Sequence, residues 1–178
     1  MQFKGRNLLF SISVALMAIP PVVMIVPLFV LYTRIGMIST YQGAILIYAG
    51  LITPFSVYLL TTFFRTLPKE LFEAARMDGA GDFLILWRIV LPLSLPALLT
   101  LVVVNALYVW NDLLIAIIFL QDDAKRTLMA GINVFQGRYG DQIPLTMAGM
   151  VFASAPMIIL YIAFQKHYIQ GLMAGSIK

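Results

Sequence analysis

An all-α bundle that crosses a membrane several times is the fold class this sequence predicts, and three observations carry it. Of 178 residues, 61% are hydrophobic and only 11% charged, whereas a soluble domain carries about 25% charge. Mean hydropathy is +0.93. The apolar residues also gather into four runs, 8–31, 42–64, 95–119 and 144–164, each matching the ~20 residues that a helix needs to cross a bilayer.

The chain opens on a short basic segment, residues 1–7, followed by 24 apolar residues from Leu8 to Leu31. That run is too long for a signal-peptide core and no small-residue cleavage site closes it, so it reads as a span. Pro20, Pro21 and Pro27 interrupt it. Prolines at membrane depth free backbone carbonyls that a neighbour must satisfy, which predicts a kinked helix packed inside a bundle. Residues 33–41 are a polar turn. The second span, 42–64, carries Gly43, Ala49, Gly50 and Thr53 as small contact positions and Pro54 as a kink. Residues 65–90 form the long polar interruption of the chain. Ile89 to Leu120 exceeds one crossing, so the reading places an elbow at Pro92 and Pro96 and a span over 95–119. Residues 121–143 are a polar loop with room for a helix over 126–135 and a turn at Gly137–Gly140; Asp122, Asp123, Lys125 and Arg126 read as a solvated external turn. The last span, 144–164, pairs Gly149 with Ala153 and bends at Pro156. The tail, 165–178, is polar and glycine-bearing, a mobile end by composition. The ten methionines show no stripe and read as packing filler.

Several chemistries are excluded. There is no cysteine and one histidine, His167, which removes disulfides, thiolate metal sites and a histidine cluster. Scattered basic residues rather than a stripe argue against nucleic acid. No Gly-x-x-x-x-Gly-Lys phosphate loop exists, so no cofactor is expected in this chain and any ATP must be held by a partner. No catalytic constellation appears, and no enzyme is expected. The third span does carry polar residues: Asn105, Tyr108 and Asp112 are separated by three and four and share a helical face, with Trp110 and Asn111 beside it. An intramembrane carboxylate is costly and faces a cavity or a partner. Three roles stand open for this face: lining a path for a hydrogen-bonding solute such as a sugar, joining helices, or anchoring at the outer interface.

The interruption begins as an amphipathic helix, with Leu67, Leu71, Ala74, Ala75 and Asp78 at spacings of three and four. Pro68 and Glu70 suit its first turn. Gly79 ends it in the left-handed region, and Asp82 is placed to cap a second short helix over 83–90. The register Glu73-Ala74-Ala75, three residues, Gly79, nine residues, Ile89, one residue, Leu91-Pro92 resembles the cytoplasmic loop of permease subunits of ABC importers. Together with Leu67-Pro68 and Asp78-Gly79-Ala80 it is similar to the sugar-importer branch related to the maltose permease inner subunits. The resemblance implies a single permease domain over 1–178 that lacks the first two of six spans. It implies a coupling role for Glu73, Ala74, Ala75, Asp78, Gly79, Ile89, Leu91 and Pro92. It implies as partners an ATP-binding cassette dimer, a second permease, an extracytoplasmic solute-binding protein and membrane lipid, and as cargo a sugar or polyol. A glycerol phosphate ester as cargo, a non-functional fragment, an ATP-independent channel and an assembly factor are the competing readings.

Lysine and arginine decide orientation. Lys4, Arg6, Arg65, Lys69, Arg76, Arg88, Lys166 and Lys178 fall on one side of a four-span chain, and Arg34, Lys125, Arg126 and Arg138 on the other. The positive-inside rule puts the first set, with the central loop and both ends of this chain, in the cytoplasm; the resemblance implies the same orientation and the inner membrane of a prokaryote. Cysteines introduced as Asp78→Cys and Asp123→Cys should therefore react from opposite sides with an impermeant maleimide. Labelling of both from outside intact cells would refute the four-span reading.

Overall fold

Proline placement explains most of where the helices start and stop. The computed structural model describes the backbone of residues 4–138 and 143–174, and the side chains of 4–133 and 143–165. Every regular element among them is helical: α1 (Arg6–Met17), α2 (Pro21–Arg34), α3 (Tyr41–Thr66), α4 (Lys69–Met77), α5 (Asp82–Ile85), a π turn (Leu86–Val90), α6 (Leu91–Leu93), α7 (Leu95–Asn111), α8 (Leu114–Phe119), a 3-10 turn (Asp123–Lys125), α9 (Leu128–Arg138) and α10 (Ile143–Ala174). Two segments, Tyr41–Thr66 and Ile143–Gln165, are long and apolar enough to cross a membrane alone. Two broken pairs, α1 with α2 and 82–93 with α7, bring the total up to four.

The expected first span is not merely kinked but broken. Pro20 is extended (φ −62°, ψ 130°) and Pro21 opens α2, because a residue before proline is pushed out of the helical region and Pro21 has no N–H to continue the ladder. The third span is broken as well. Helix α7 stops at Asn111, and Asp112 and Leu113 separate it from α8. The elbow expected at Pro92 and Pro96 is present, with 82–93 and α7 meeting at 68°. The loop helix lies slightly later than 126–135, at Leu128–Arg138, and takes in Gly137 and Arg138; the rest of that expected turn lies outside the described residues. Residues 165–174, expected to be a mobile tail, continue α10 despite Gly171; residues 175–178 lie outside the described set.

The chain forms two compact units, one of Met1–Met17, Thr53–Val103 and Phe164–Lys178, the other of Ala18–Ile52 and Val104–Ala163. In the first, Phe10 stacks on Tyr58 (6.3 Å, 20°) and the Arg65 guanidinium lies 4.9 Å over the Phe10 ring. Ser94, just before α7, and Ala97, Thr100 and Val103 on it make one sealed stripe, each at most 1% exposed. In the second unit the core is Tyr32, Ala44, Ile47, Tyr48, Ile115, Phe119 and Leu120. Tyr32 and Phe29 meet Phe119 edge-on, at 5.5 and 6.1 Å. Val151, Phe152, Ile159 and Ile162 on α10 are exposed, the surface expected of a helix that meets lipid or another subunit.

One end of the second unit is tied by Ser39. It sits in the left-handed region at φ 55°, a costly conformation that its bonds hold in place. Its N–H donates to Phe119 O (2.8 Å), its Oγ accepts from the N–H groups of Gln121 and Asp122, and its carbonyl accepts from Lys125 Nζ (2.9 Å). The expected solvated turn is thus anchored by Lys125, with ion pairs Lys125–Asp122 and Arg126–Asp123 around it. The Ala124 N–H and then the Lys125 ammonium hold the Asp122 carboxyl below its usual range.

Thr40 caps α3: its Oγ1 accepts from Gly43 N at 3.0 Å and donates to Met37 O at 2.9 Å. Gly43 is a true contact glycine, since a Cβ there would run into the Met37 carbonyl and come within 2.9 Å of Thr40 Oγ1, whereas at Gly50 it would meet nothing. Gly43→Ala should therefore destabilise the protein by about 1–3 kcal/mol and Gly50→Ala should be neutral, read as thermal midpoints in detergent.

Candidate coupling loop and polar face

The helix–turn–helix after α3 is built as its local chemistry dictates. Pro68 takes the N-cap position and Glu70 lies in the first turn of α4. At the other end the backbone closes a complete left-handed cap. Gly79 has φ +78°, its N–H donates to Arg76 O (3.0 Å), and Ala80 N–H donates to Ala75 O (2.9 Å). A Cβ on Gly79 would meet nothing within 4 Å, so only the backbone angle demands glycine there.

The buried stripe of α4 is offset from the one the spacing suggested. Ala75 is buried and Phe72 half-buried, while Leu71, Ala74 and Asp78 are exposed. Phe72 is the largest apolar side chain of the helix and sets the phase. Glu73 is exposed, as its place opposite Ala75 requires. Asp82 does not cap the second helix: Gly81 occupies that position. Asp82 instead pairs with Arg76 at 3.2 Å, joining the two arms of the loop. Both side chains are about half exposed, so the pair contributes at most about 1 kcal/mol. Ile89 and Leu91 are half-buried and Pro92 exposed, all within the turns leading to the elbow. The loop also has an apolar tip that helical spacing does not reveal: Met77 is 89% exposed and Phe83 72%, and Phe83 stands 6.0 Å from Trp87. An apolar residue set among charged ones just before the stop glycine was the available signal.

The polar face of the third span divides. Asn105 and Tyr108 lie on α7, half-buried and exposed respectively, but Asp112 stands just beyond its end. Asp112 Oδ2 accepts from Tyr48 Oη (2.9 Å) on α3 and from Ala116 N (3.1 Å) in the first turn of α8. One carboxylate oxygen thus ties two helices together and satisfies an N–H that the helix break leaves without an intrahelical partner. Trp110 Nε1 donates to Ala153 O on α10 at 3.0 Å. Beside that bond is an open cleft of about 360 Å³, lined by Leu107, Trp110 and Asn111 of α7, Met129 of α9, and Met150, Ala153, Ser154 and Met157 of α10 among others. Asn105, Tyr108 and Asp112 do not line it. Three of the methionines, read as filler for want of a stripe, come together here. Among the described residues no group of three His, Cys, Asp or Glu side chains is placed to hold a metal ion.

Comparison with known proteins decides the family. The profile of the binding-protein-dependent transport system inner membrane components matches residues 1–173. The chain belongs to that family. Within it, the chain is 39% identical over 176 residues to the melibiose/raffinose/stachyose import permease protein MelC of Bacillus subtilis, covering 98% of this chain and 64% of that protein. It is 36% identical to the arabinooligosaccharides transport system permease protein AraQ of the same organism, covering 99% and 62%. It is also 36% identical to the trehalose/maltose transport system permease protein MalG of Thermococcus litoralis, covering 99% and 64%. The chain therefore spans somewhat under two-thirds of the length of these relatives. As an inner membrane component of such a transport system it is a membrane protein with apolar spanning helices.

The Tyr48–Asp112 bond generates a thermodynamic expectation. Tyr48→Phe and Asp112→Ala should each lower the thermal midpoint, and the double variant should fall short of their sum by a coupling of about 1–2 kcal/mol. Additive effects would show that the two side chains do not support each other.

Proposed function

We propose that the chain is the membrane-spanning part of an ATP-driven importer for a sugar, an oligosaccharide or a related polyol. It performs no chemistry and holds no cofactor of its own. A cytoplasmic ATP-binding cassette dimer binds and hydrolyses ATP, a second permease subunit completes the translocation path, and an extracytoplasmic binding protein delivers the solute. The sugar-linked names of three relatives support the substrate class.

The observation that carries the coupling role is the closed cap at Gly79. It makes the loop a stiff knob with the apolar Met77 side chain and the Glu73 carboxylate exposed. An apolar tip fits a groove in the ATPase, and Glu73 accepts charge-assisted hydrogen bonds at its rim. Closure of the ATPase pair then moves the knob, with Ala74, Ala75 and Asp78 moving as part of α4 and its cap, and Ile89, Leu91 and Pro92 carrying the push toward α7. The spans alternate between two arrangements that the ATPase binds unequally. In the path, Asn105 and Tyr108 meet the solute, and Asp112 shapes the wall by holding Tyr48 and α8. The central loop lies in the cytoplasm, as the lysine and arginine distribution favours.

Gly79→Val forces a β-branched residue into the left-handed region at a cost of about 1–3 kcal/mol, similar to a typical coupling free energy of about 1–3 kcal/mol. It should leave the subunit in the membrane while abolishing substrate-stimulated ATP hydrolysis and uptake together. Glu73→Ala should weaken retention of the ATPase during purification. The assay is ATPase rate and uptake in proteoliposomes, using whichever of melibiose, raffinose, maltose and arabinotriose raises the melting temperature of the partner binding protein. Full stimulation and transport by Gly79→Val would overturn the assignment of this loop as the coupler.

A further inference from the structure

The elbow between the loop and α7 contains a polar side chain that no role so far explains. Ser94 is fully buried, although its neighbours Leu93 and Leu95 are 43% and 54% exposed. Its Oγ donates to Val90 O at 2.6 Å, and its N–H donates to Val90 O (2.9 Å) and Leu91 O (3.1 Å). Its own carbonyl accepts from Leu98 N at 2.9 Å, in the first turn of α7. One residue therefore grips the last turn before the elbow and the first turn after it.

The surrounding backbone needs that grip. Pro92 and Pro96 lack N–H groups, so a ladder bond is missing on either side of Ser94. Before Pro92 the helix widens into the π turn Leu86–Val90, where Leu91 N–H donates to Leu86 O. π turns are weaker than α and recur at functional sites. A helix with a widened turn, two prolines and a 68° bend is a hinge unless something fixes it. The Ser94 hydroxyl adds a second bond to the Val90 carbonyl at the foot of the bend, from a fully buried position. Downstream, Ala97, Thr100 and Val103 continue the buried stripe, and Thr100 Oγ1 donates to Pro96 O at 2.9 Å.

We propose that Ser94 is a positioning residue that locks this elbow, so that displacement of the 69–93 helix–turn–helix is passed to α7 as rotation of a rigid lever. This rests on the coupling role proposed for that loop. Hydroxyl removal converts the lever into a joint: the loop still moves with the nucleotide, but α7 no longer follows.

The test uses the assembled transporter in lipid nanodiscs, without nucleotide and with Mg-ATP plus vanadate, in this naturally cysteine-free chain. Nitroxides on Leu84→Cys and Val102→Cys flank the elbow and report its angle as a distance. Single nitroxides on Asp78→Cys and Tyr108→Cys report the loop and the far part of α7. With Ser94 intact, the Leu84–Val102 distribution should be narrow in both states, and nucleotide should change both single-site spectra. With Ser94→Ala, the distribution should broaden, and the nucleotide response at Tyr108→Cys should fall about fivefold, as for loss of one hydrogen bond, while that at Asp78→Cys persists. Ser94→Thr, which keeps the hydroxyl, should restore the response; Ser94→Cys, a weaker donor of similar size, replaces Ser94→Ala if that variant fails to assemble. An unbroadened distribution, or an undiminished Tyr108→Cys response, with the hydroxyl removed overturns the proposal. Absence of any nucleotide response at Asp78→Cys with Ser94 intact overturns the coupling role itself, a separate result.

Discussion

Within a bilayer each backbone N–H and C=O must find a partner inside the protein, and this chain carries nine prolines that break helical ladders. Much of its architecture answers that constraint. At the break after α7, the Asp112 carboxylate takes the N–H of Ala116. At the bend before α7, the Ser94 hydroxyl reinforces the Val90 carbonyl turn. The Trp110 indole caps a carbonyl of α10, and Thr40 closes the start of α3. Polar residues that look functional by type are thus first of all keepers of the backbone.

This sorts the polar residues of the third span. Asp112 is bound on two sides and defines the packing of α3 against α8. Tyr108 projects from the surface of α7 and is available to a solute or another subunit. Three residues that share a helical face on paper therefore part company, because the helix ends one residue before the third of them.

The helical class, the second span and the left-handed glycine were legible in the sequence because each depends on short-range chemistry: apolar length, a missing Cβ, a run of ring-locked backbone. The elbow at Pro92 and Pro96 was legible for the same reason. What escaped depends on partners distant in the chain. The break at Asp112 has no proline or glycine to announce it, and the carboxylate there is held by Tyr48, 64 residues away. The phase of α4 follows the bulk of Phe72 rather than the count of apolar positions. Asp82 had the right type to cap a helix, but Arg76 stood close enough to take it. The methionine-lined cleft assembles from three helices, with Met129 brought to it from α9.

The two tryptophans lie on either side of the elbow in contrasting surroundings. Trp87 is 57% exposed beside Phe83, whereas Trp110 is half-buried, its indole N–H bonded to Ala153 and its ring among methionines. Their emission is accordingly separable by wavelength, the exposed ring shifted to the red and the enclosed one to the blue. The chain therefore carries its own pair of optical reporters, one in the helix–turn–helix and one on α7, and replacing either with phenylalanine isolates the signal of the other.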